Sequence, residues 1–217
     1  MNEETESLVI QSEPGVGVGP WPGGRENWPT ADHYDPQLLE NGDYRNVEDH
    51  FRYWKMDAIV AELNSLKERG QWLEVAIENL GHDFNIGSIV RSANAMGVRH
   101  VHIVGRRRWN RRGAMVTDRY MQVHHHPDVE SFTAAMQEAG LRIVGVDNIP
   151  SSVPLEDAEL PRNCVLVMGE ESTGLSPQMA QASEKIVHIT QYGSTRSMNV
   201  GHAAAISMWA WVLQHRG

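Results

Sequence analysis

Three stretches of this chain set polar side chains beside glycine at the mouths of apolar segments, the places where a helix start or a tight loop can hold a ligand. In "GHDFNIGSIVRSANAMG", Asn85 stands near a helix start and Arg91 follows six residues on, about 1.7 turns round the same helix, where its long side chain can lean back toward the helix mouth. A guanidinium stays protonated, and burying or half-burying it demands a partner. In "GEESTGLS", Gly169 and Gly174 allow close backbone approach to a ligand, with Glu170 and Glu171 between them. In "STRSMNVGHAAAISMW", Arg196, Ser197 and Asn199 precede an apolar helix. Each stretch also has a plain structural reading: Asn85 as a helix cap, the glutamates as caps of the next helix, and Ser197 as the N-cap of the last one.

Several chemistries are poorly supported. No Gly-Lys-Ser/Thr follows Gly169 and Gly174, and no G-x-G-x-x-G or G-x-S-x-G occurs, which disfavours nucleotide hydrolysis, dinucleotide binding and a serine-nucleophile elbow. The triplet His124, His125 and His126 invites a metal, but neighbouring residues of a strand face opposite ways and no acid is spaced to complete a site, so packed or loop histidines are expected. No metal is expected anywhere.

These residues must be carried by an ordered frame. From Gln71 onward, short apolar runs alternate with helical segments, the pattern of an α/β domain with a mostly parallel sheet. Strands are predicted at "WLEVAIEN", "HVHIVG", "RIVGVD", "CVLVMG" and "KIVHIT". Helices are predicted at "NIGSIVRSANAMG", "VESFTAAMQEAG", "SPQMAQASE" and "SMNVGHAAAISMWAWVLQHR". In open α/β sheets ligands gather beyond the carboxyl ends of strands, where all three polar stretches fall. Ahead of this domain, residues 1–32 are rich in Gly, Pro and acids and predict a flexible tail. Residues 33–70 form an extension in which Val47, Phe51, Trp54, Ala58, Ile59, Leu63 and Leu66 trace one helical face, with Asn46 as its cap and Gly70 as its stop.

Composition narrows the setting. The chain has 217 residues and a net charge of −9, but residues 1–70 hold 14 acids against 6 Lys plus Arg, whereas 71–217 hold 14 against 13. Within the nearly neutral part, "RRRWNRR" places Arg106, Arg107, Arg108, Arg111 and Arg112 around a tryptophan, a concentration suited to RNA phosphates with a base stacked on the ring. The acidic amino-terminal stretch, the lack of a long apolar run and the single cysteine, Cys164, predict a soluble cytoplasmic protein without disulfides.

Taken in order, "NIGSIVRSANAMGVRHVHIVG", "VLVMGEESTGLS" and "HITQYGSTRSMNVGHAAAISM" resemble the three motifs of the SpoU (TrmH-like) branch of the SPOUT RNA methyltransferases. The resemblance runs from Gln71 almost to the end of the chain. It implies a SPOUT-type, mostly parallel α/β sheet flanked by helices, with a C-terminal deep trefoil knot, an exception to the usual unknotted chain. It also implies S-adenosyl-L-methionine as methyl donor, a homodimer whose two chains build each site, and methylation of a ribose 2′-hydroxyl in tRNA or rRNA. No membrane partner and no DNA are expected. Residue by residue, Asn85 and Arg91 match the first motif, Glu171 the second, and Ser197 and Asn199 the third, all as catalytic-site residues. Gly169, Ile189 and Met198 fall where the family contacts the donor. The chain departs from the usual pattern at Glu170, at Thr190 and Gln191 where Pro-Met is common, and at Met198 where Leu is common.

For the implied reaction, oxygen, methyl carbon and sulfur must lie nearly in line, so positioning carries most of the acceleration. Arginine is a poor literal base. Arg91 is expected to fix a phosphate beside the target ribose and stabilise the forming oxyanion, although a base role is also discussed for the family. The competing expectation is a noncatalytic RNA-binding or assembly factor that kept the fold. Arg196 is expected to touch RNA or a carboxylate.

Overall fold

The computed structural model describes residues 17–65, 72–78, 83–105, 120–170 and 172–216. The chain divides into two compact units, Met1–Ala61 and Glu62–Gly217.

The first unit corrects two expectations. Residues 17–32, expected within a flexible tail, are tied down: Val18 bridges Asp43, and the Trp21 amide donates to the Leu39 carbonyl at 2.8 Å. The Trp21 ring packs edge-on against Tyr34 and Tyr53. The helix expected from Asn46 starts only after a break. The described helices here are α1 (Pro36–Asn41), capped by Asp35, and α2 (Met56–Ser65). The cause is the buried Asp43 carboxylate. It accepts Arg45 Nε at 2.8 Å and Arg45 Nη2 at 2.6 Å, and it also takes the Tyr53 amide at 2.9 Å. That amide would otherwise join the helical ladder, and Tyr53 sits instead at φ 63. Burial alone would raise the Asp43 pKa, but the hydrogen bonds from Arg45 and Tyr53 outweigh it and hold it below the usual range.

The second unit is built on a sheet of seven parallel strands: β1 (Trp72–Glu78), β2 (His100–Val104), β3 (Gln122–His126), β4 (Arg142–Val146), β5 (Val153–Pro154), β6 (Asn163–Met168) and β7 (Lys185–His188). Their order is β3-β2-β1-β6-β4-β7-β5. All five strands read from the sequence are present. The short β5 and the histidine-bearing β3 are additional.

Alternation along β1 separates the two cores. Leu73, Val75 and Ile77 face α3 (Asp83–Ala95) and α6 (Val200–His215), which contribute Ile86, Ile89, Val90, Ala204, Met208 and Trp211. Trp72 and Ala76 face the opposite way, toward Phe132 and Met136 of α4 (Val129–Glu138) and Met179 of α5 (Pro177–Ala182). Gly201 packs against side chains where α6 meets α3: a Cβ there would lie 3.1 Å from Asn199 Oδ1 and 3.2 Å from Ser88 Oγ, so those side chains would have to give slightly. Cys164 is buried and its thiol is pushed up to about 12, which makes it an inert core residue.

His124 and His126 of β3 pack against histidines of β2, which lead to an acidic partner on β1, whereas His125 is exposed. Glu74 accepts Trp72 Nε1 and pairs with His102 Nε2, each at 2.6 Å. His102 Nδ1 lies 2.9 Å from His126 Nε2, and His100 Nδ1 lies 3.0 Å from His124 Nε2. Burial would raise the Glu74 pKa, but hydrogen bonds from His102 and Trp72 bring it below the ordinary value. Burial, then the neighbouring His102, pushes His126 down to about 4 and lowers His124 as well. Among the described residues no group of three or more His, Cys, Asp or Glu could hold a metal ion. Among the described helices none is long and apolar enough to cross a membrane.

Candidate active site

The carboxyl ends of β4, β6 and β7 open into one cavity of about 350 Å³, within the range of small-molecule sites. The three residues matched to donor contacts, Gly169, Ile189 and Met198, all line it, and so do Ser197, Arg196 and Glu170. Its walls mix apolar Val146 and Met168 with polar Asp147 and Gln191. Backbone crowding explains Gly169: a Cβ there would lie 2.2 Å from the carbonyl carbon of Gly174.

Beside the cavity, the first and third motifs meet directly. Asn199 Nδ2 donates to Asn85 Oδ1 at 3.0 Å, bridging α6 to the first turn of α3. The same side chain caps α6, its Oδ1 accepting the Gly201 amide at 2.9 Å and the His202 amide at 3.3 Å. The cap is therefore Asn199 and not Ser197, two residues earlier. With that task taken by Asn199, Ser197 is exposed at the cavity wall. Because Met198 and Val200 both line the cavity, the Asn199 backbone passes along its edge.

Arg91 differs from expectation. It is exposed and makes no hydrogen bond or ion pair among the described residues, so it is not the half-buried cation that the apolar helix text suggested. An exposed guanidinium with no partner among the described residues can take a phosphate or a developing oxyanion. Glu171 and Arg106, Arg107, Arg108, Arg111 and Arg112 lie outside the described residues.

The departures from the motif pattern have local accounts. Thr190 hydrogen-bonds Glu156, and that contact is the first cause holding the Glu156 carboxyl below its ordinary range. Thr173 Oγ1 donates to Glu170 Oε2 at 2.8 Å, so the glutamate replacing the usual residue is held within its own loop. Asp147 was not anticipated as a site residue. The signal was present, since it ends the predicted strand "RIVGVD", but the loop after that strand carries no motif to draw attention to it.

An all-parallel sheet with helices on both faces, a ligand-sized cavity at its carboxyl edge and paired asparagines beside it define an α/β domain with a candidate ligand site. Residues 72–209 match the SpoU rRNA Methylase family, and the chain belongs to that family. It is 26% identical over 147 residues to tRNA (guanosine(18)-2'-O)-methyltransferase of Escherichia coli, covering 66% of this chain and 64% of the relative. It is thus aligned to slightly less than two thirds of that protein's length. An uncharacterized tRNA/rRNA methyltransferase of Mycolicibacterium paratuberculosis is 28% identical over 220 residues, covering 98% of this chain and 67% of the relative. Among solved structures, the SpoU methyltransferase AviRb from Streptomyces viridochromogenes in complex with AdoMet superposes with a TM-score of 0.60 at 25% identity, covering 66% of this chain and 60% of that one. The A. aeolicus TrmH/SpoU tRNA modifying enzyme does so with a TM-score of 0.61 at 23% identity, covering 72% of this chain and 83% of that one.

Proposed function

We propose that this protein is an S-adenosyl-L-methionine-dependent RNA 2′-O-ribose methyltransferase acting on tRNA or rRNA in the cytoplasm. One observation carries the reading: a single cavity gathers Gly169, Ile189, Ser197 and Met198, with the Asn85 to Asn199 hydrogen bond at its edge. The relatives named for ribose methylation and the AdoMet complex of AviRb support it.

The cavity suits the donor chemically. Its apolar side chains, its carboxylates at Asp147 and Glu170 and its close backbone approach at Gly169 fit a cationic, adenosine-bearing ligand. When bound, the donor supplies an electrophilic methyl group on a sulfonium. The protein's part is placement. Arg91, permanently charged and exposed, holds the phosphate beside the target ribose and stabilises the oxygen as it gains negative charge, while the proton leaves to phosphate or water. Asn199 holds Asn85 in register with the cavity rim. Ser197 reaches the ribose or donor from the rim, and Glu171 orients Arg91 or the donor.

The C-terminal chain is proposed to thread as a trefoil knot, a reading supported by β6 lying between β1 and β4 and by the family match. A homodimer is proposed through α6, which leaves Ile206, Trp209 and Leu213, at spacings of one helical face, 42%, 52% and 61% exposed. The arginines of "RRRWNRR" are proposed to contact RNA phosphates.

The test is labelled methyl transfer to tRNA and to ribosomal RNA from a strain lacking the protein, with nucleoside mapping. Arg91→Ala should cut transfer by about 100-fold or more while calorimetry shows donor binding nearly intact. Transfer that survives the substitution refutes the role of Arg91. Wild-type protein that takes up no donor refutes the reading and favours a noncatalytic RNA-binding protein.

A further inference from the structure

We propose that Asp147 is a positioning residue for the methyl donor, its carboxylate clamping the loop that forms one wall of the cavity; the proposal rests on the donor-binding reading above. Gly169 and Glu170 follow the end of β6, and Gly174 returns beside them. Glu170 and Gly174 exchange backbone hydrogen bonds at 3.0 and 2.8 Å, closing a tight turn. Gly174 has φ +71, and a Cβ there would lie 2.3 Å from Asp147 Oδ2, so the turn is pressed against that carboxylate.

The chain leaving the turn is then held by two carboxylates from two different strand ends. Asp147 Oδ2 accepts the Leu175 amide at 2.9 Å, and the buried Glu78 accepts the Ser176 amide through Oε2 at 3.0 Å. The Leu175 side chain lies over Gly145 of β4, where a Cβ would come within 2.6 Å of Leu175 Cδ1. Asp147 is fixed in turn, because its own amide donates to the Val187 carbonyl at 2.9 Å. The residues after Val187, His188 and Ile189, are cavity wall, as is Asp147 itself.

Asp147 therefore joins three walls: the end of β4, the β6 loop and the end of β7. Without its acceptor, the Leu175 amide loses its partner and the turn is anchored from one side only, at Glu78. A loop holding Gly169 and Glu170 against the cavity then has freedom to open, and the donor must close it on binding. The lost interaction is one acceptor on a backbone amide, so an isosteric amide oxygen should replace it.

The experiment compares Asp147→Ala with Asp147→Asn in the full chain, using calorimetry with S-adenosyl-L-methionine and steady-state methyl transfer. Phe132→Leu, in the core on the α4 side of the sheet, serves as a control for general loss of stability. Asp147→Ala should weaken donor binding and raise the donor KM by about 10-fold, with kcat falling much less, the size expected for one lost hydrogen bond. Asp147→Asn should recover most of that loss, and Phe132→Leu should lower the melting temperature without the KM change. If Asp147→Ala does not fold, Asp147→Ser takes its place. Asp147→Ala binding donor as tightly as wild type overturns the clamp, as does Asp147→Asn binding as weakly as Asp147→Ala. Wild-type protein that binds no donor overturns instead the methyltransferase reading.

Discussion

Replacing Asn199 separates two interactions that one side chain makes in opposite directions. Its Oδ1 caps α6 and its Nδ2 reaches Asn85. Asn199→Ala removes both. An N-cap loss of about 1 kcal/mol and a hydrogen bond of about 1 kcal/mol give a destabilisation of about 2 kcal/mol. Asn199→Asp keeps the capping oxygen and puts a negative charge at the helix N-terminus, a gain of about 0.5 kcal/mol, but it cannot donate to Asn85. Its net change should stay within about 1 kcal/mol. Urea unfolding of wild type, both variants and Asn85→Ala, with the double Asn85→Ala/Asn199→Ala variant, completes a cycle whose coupling should be about 1 kcal/mol. Methyl transfer should fall in both Asn199 variants, because the Nδ2 donation to Asn85 is lost in each, and the alanine variant should lose more stability than the aspartate variant. Equal urea midpoints for Asn199→Ala and Asn199→Asp would refute the cap. Strictly additive single and double substitutions would refute the bridge between the motifs.

Three further outcomes are expected. Gly169→Ala places a Cβ 2.2 Å from the backbone of Gly174, which cannot move aside as a flexible side chain could, so donor binding should vanish from calorimetry while circular dichroism still shows a folded chain. Stability should fall with acid because His126 is held at about 4 against an ordinary 6.5. Above pH 6.5 neither state is protonated at this ring and nothing is lost. Below it the unfolded chain takes a proton that the folded ring refuses, so stability declines until about pH 4, by about 1–2 kcal/mol once solvent screening of this partly exposed ring is allowed for. His126→Gln should flatten the denaturation profile over that interval. The Glu74 carboxylate adds its own loss only as pH falls below its ordinary 4.5, and a wild-type profile already flat from 6.5 to 4 would contradict the histidine account. Finally, Trp209→Lys on the exposed face of α6 should shift the proposed homodimer to monomer in sedimentation analysis, and an unchanged sedimentation coefficient would remove α6 from the proposed interface.

Periodicity made the central sheet readable because its strands are buried on both faces and spell nearly continuous apolar runs, as "CVLVM" does in β6. It failed for β3, whose polar face is satisfied by residues far away in sequence. His124 and His126 meet His100 and His102, and through them Glu74, so no local acid marks the strand. A side-chain capture of a backbone amide broke the helix expected from Asn46. Val47, Phe51 and Trp54 keep helical spacing, yet Asp43 takes the Tyr53 amide and the helix waits until Met56. At the site, residue types located the loops but could not assign tasks within them. Ser197 and Asn199 are both good caps by type, and the start of α6 at Val200 decides that Asn199 fills the role, its Oδ1 taking the Gly201 and His202 amides.

The two halves of the proposed site carry different constraints. The cavity at β4, β6 and β7 takes its shape from held backbone: a glycine packed against a glycine, a turn closed by its own amides, and the Asp147 and Glu78 carboxylates holding the Leu175 and Ser176 amides. Side chains along that wall can change if they find a partner that leaves the backbone in place. Thr190 does so with Glu156, and Glu170 does so with Thr173. The α3 and α6 mouths work the other way, since Asn85 and Asn199 meet through side-chain amides at 3.0 Å, where one atom more or less changes both donor and acceptor. Substitution should therefore be tolerated at Thr190, Gln191 and Met198 with modest changes in donor KM. The same degree of change at Asn85 or Asn199 should show in kcat, because it disturbs the side-chain bridge between α3 and α6 rather than the wall of the cavity.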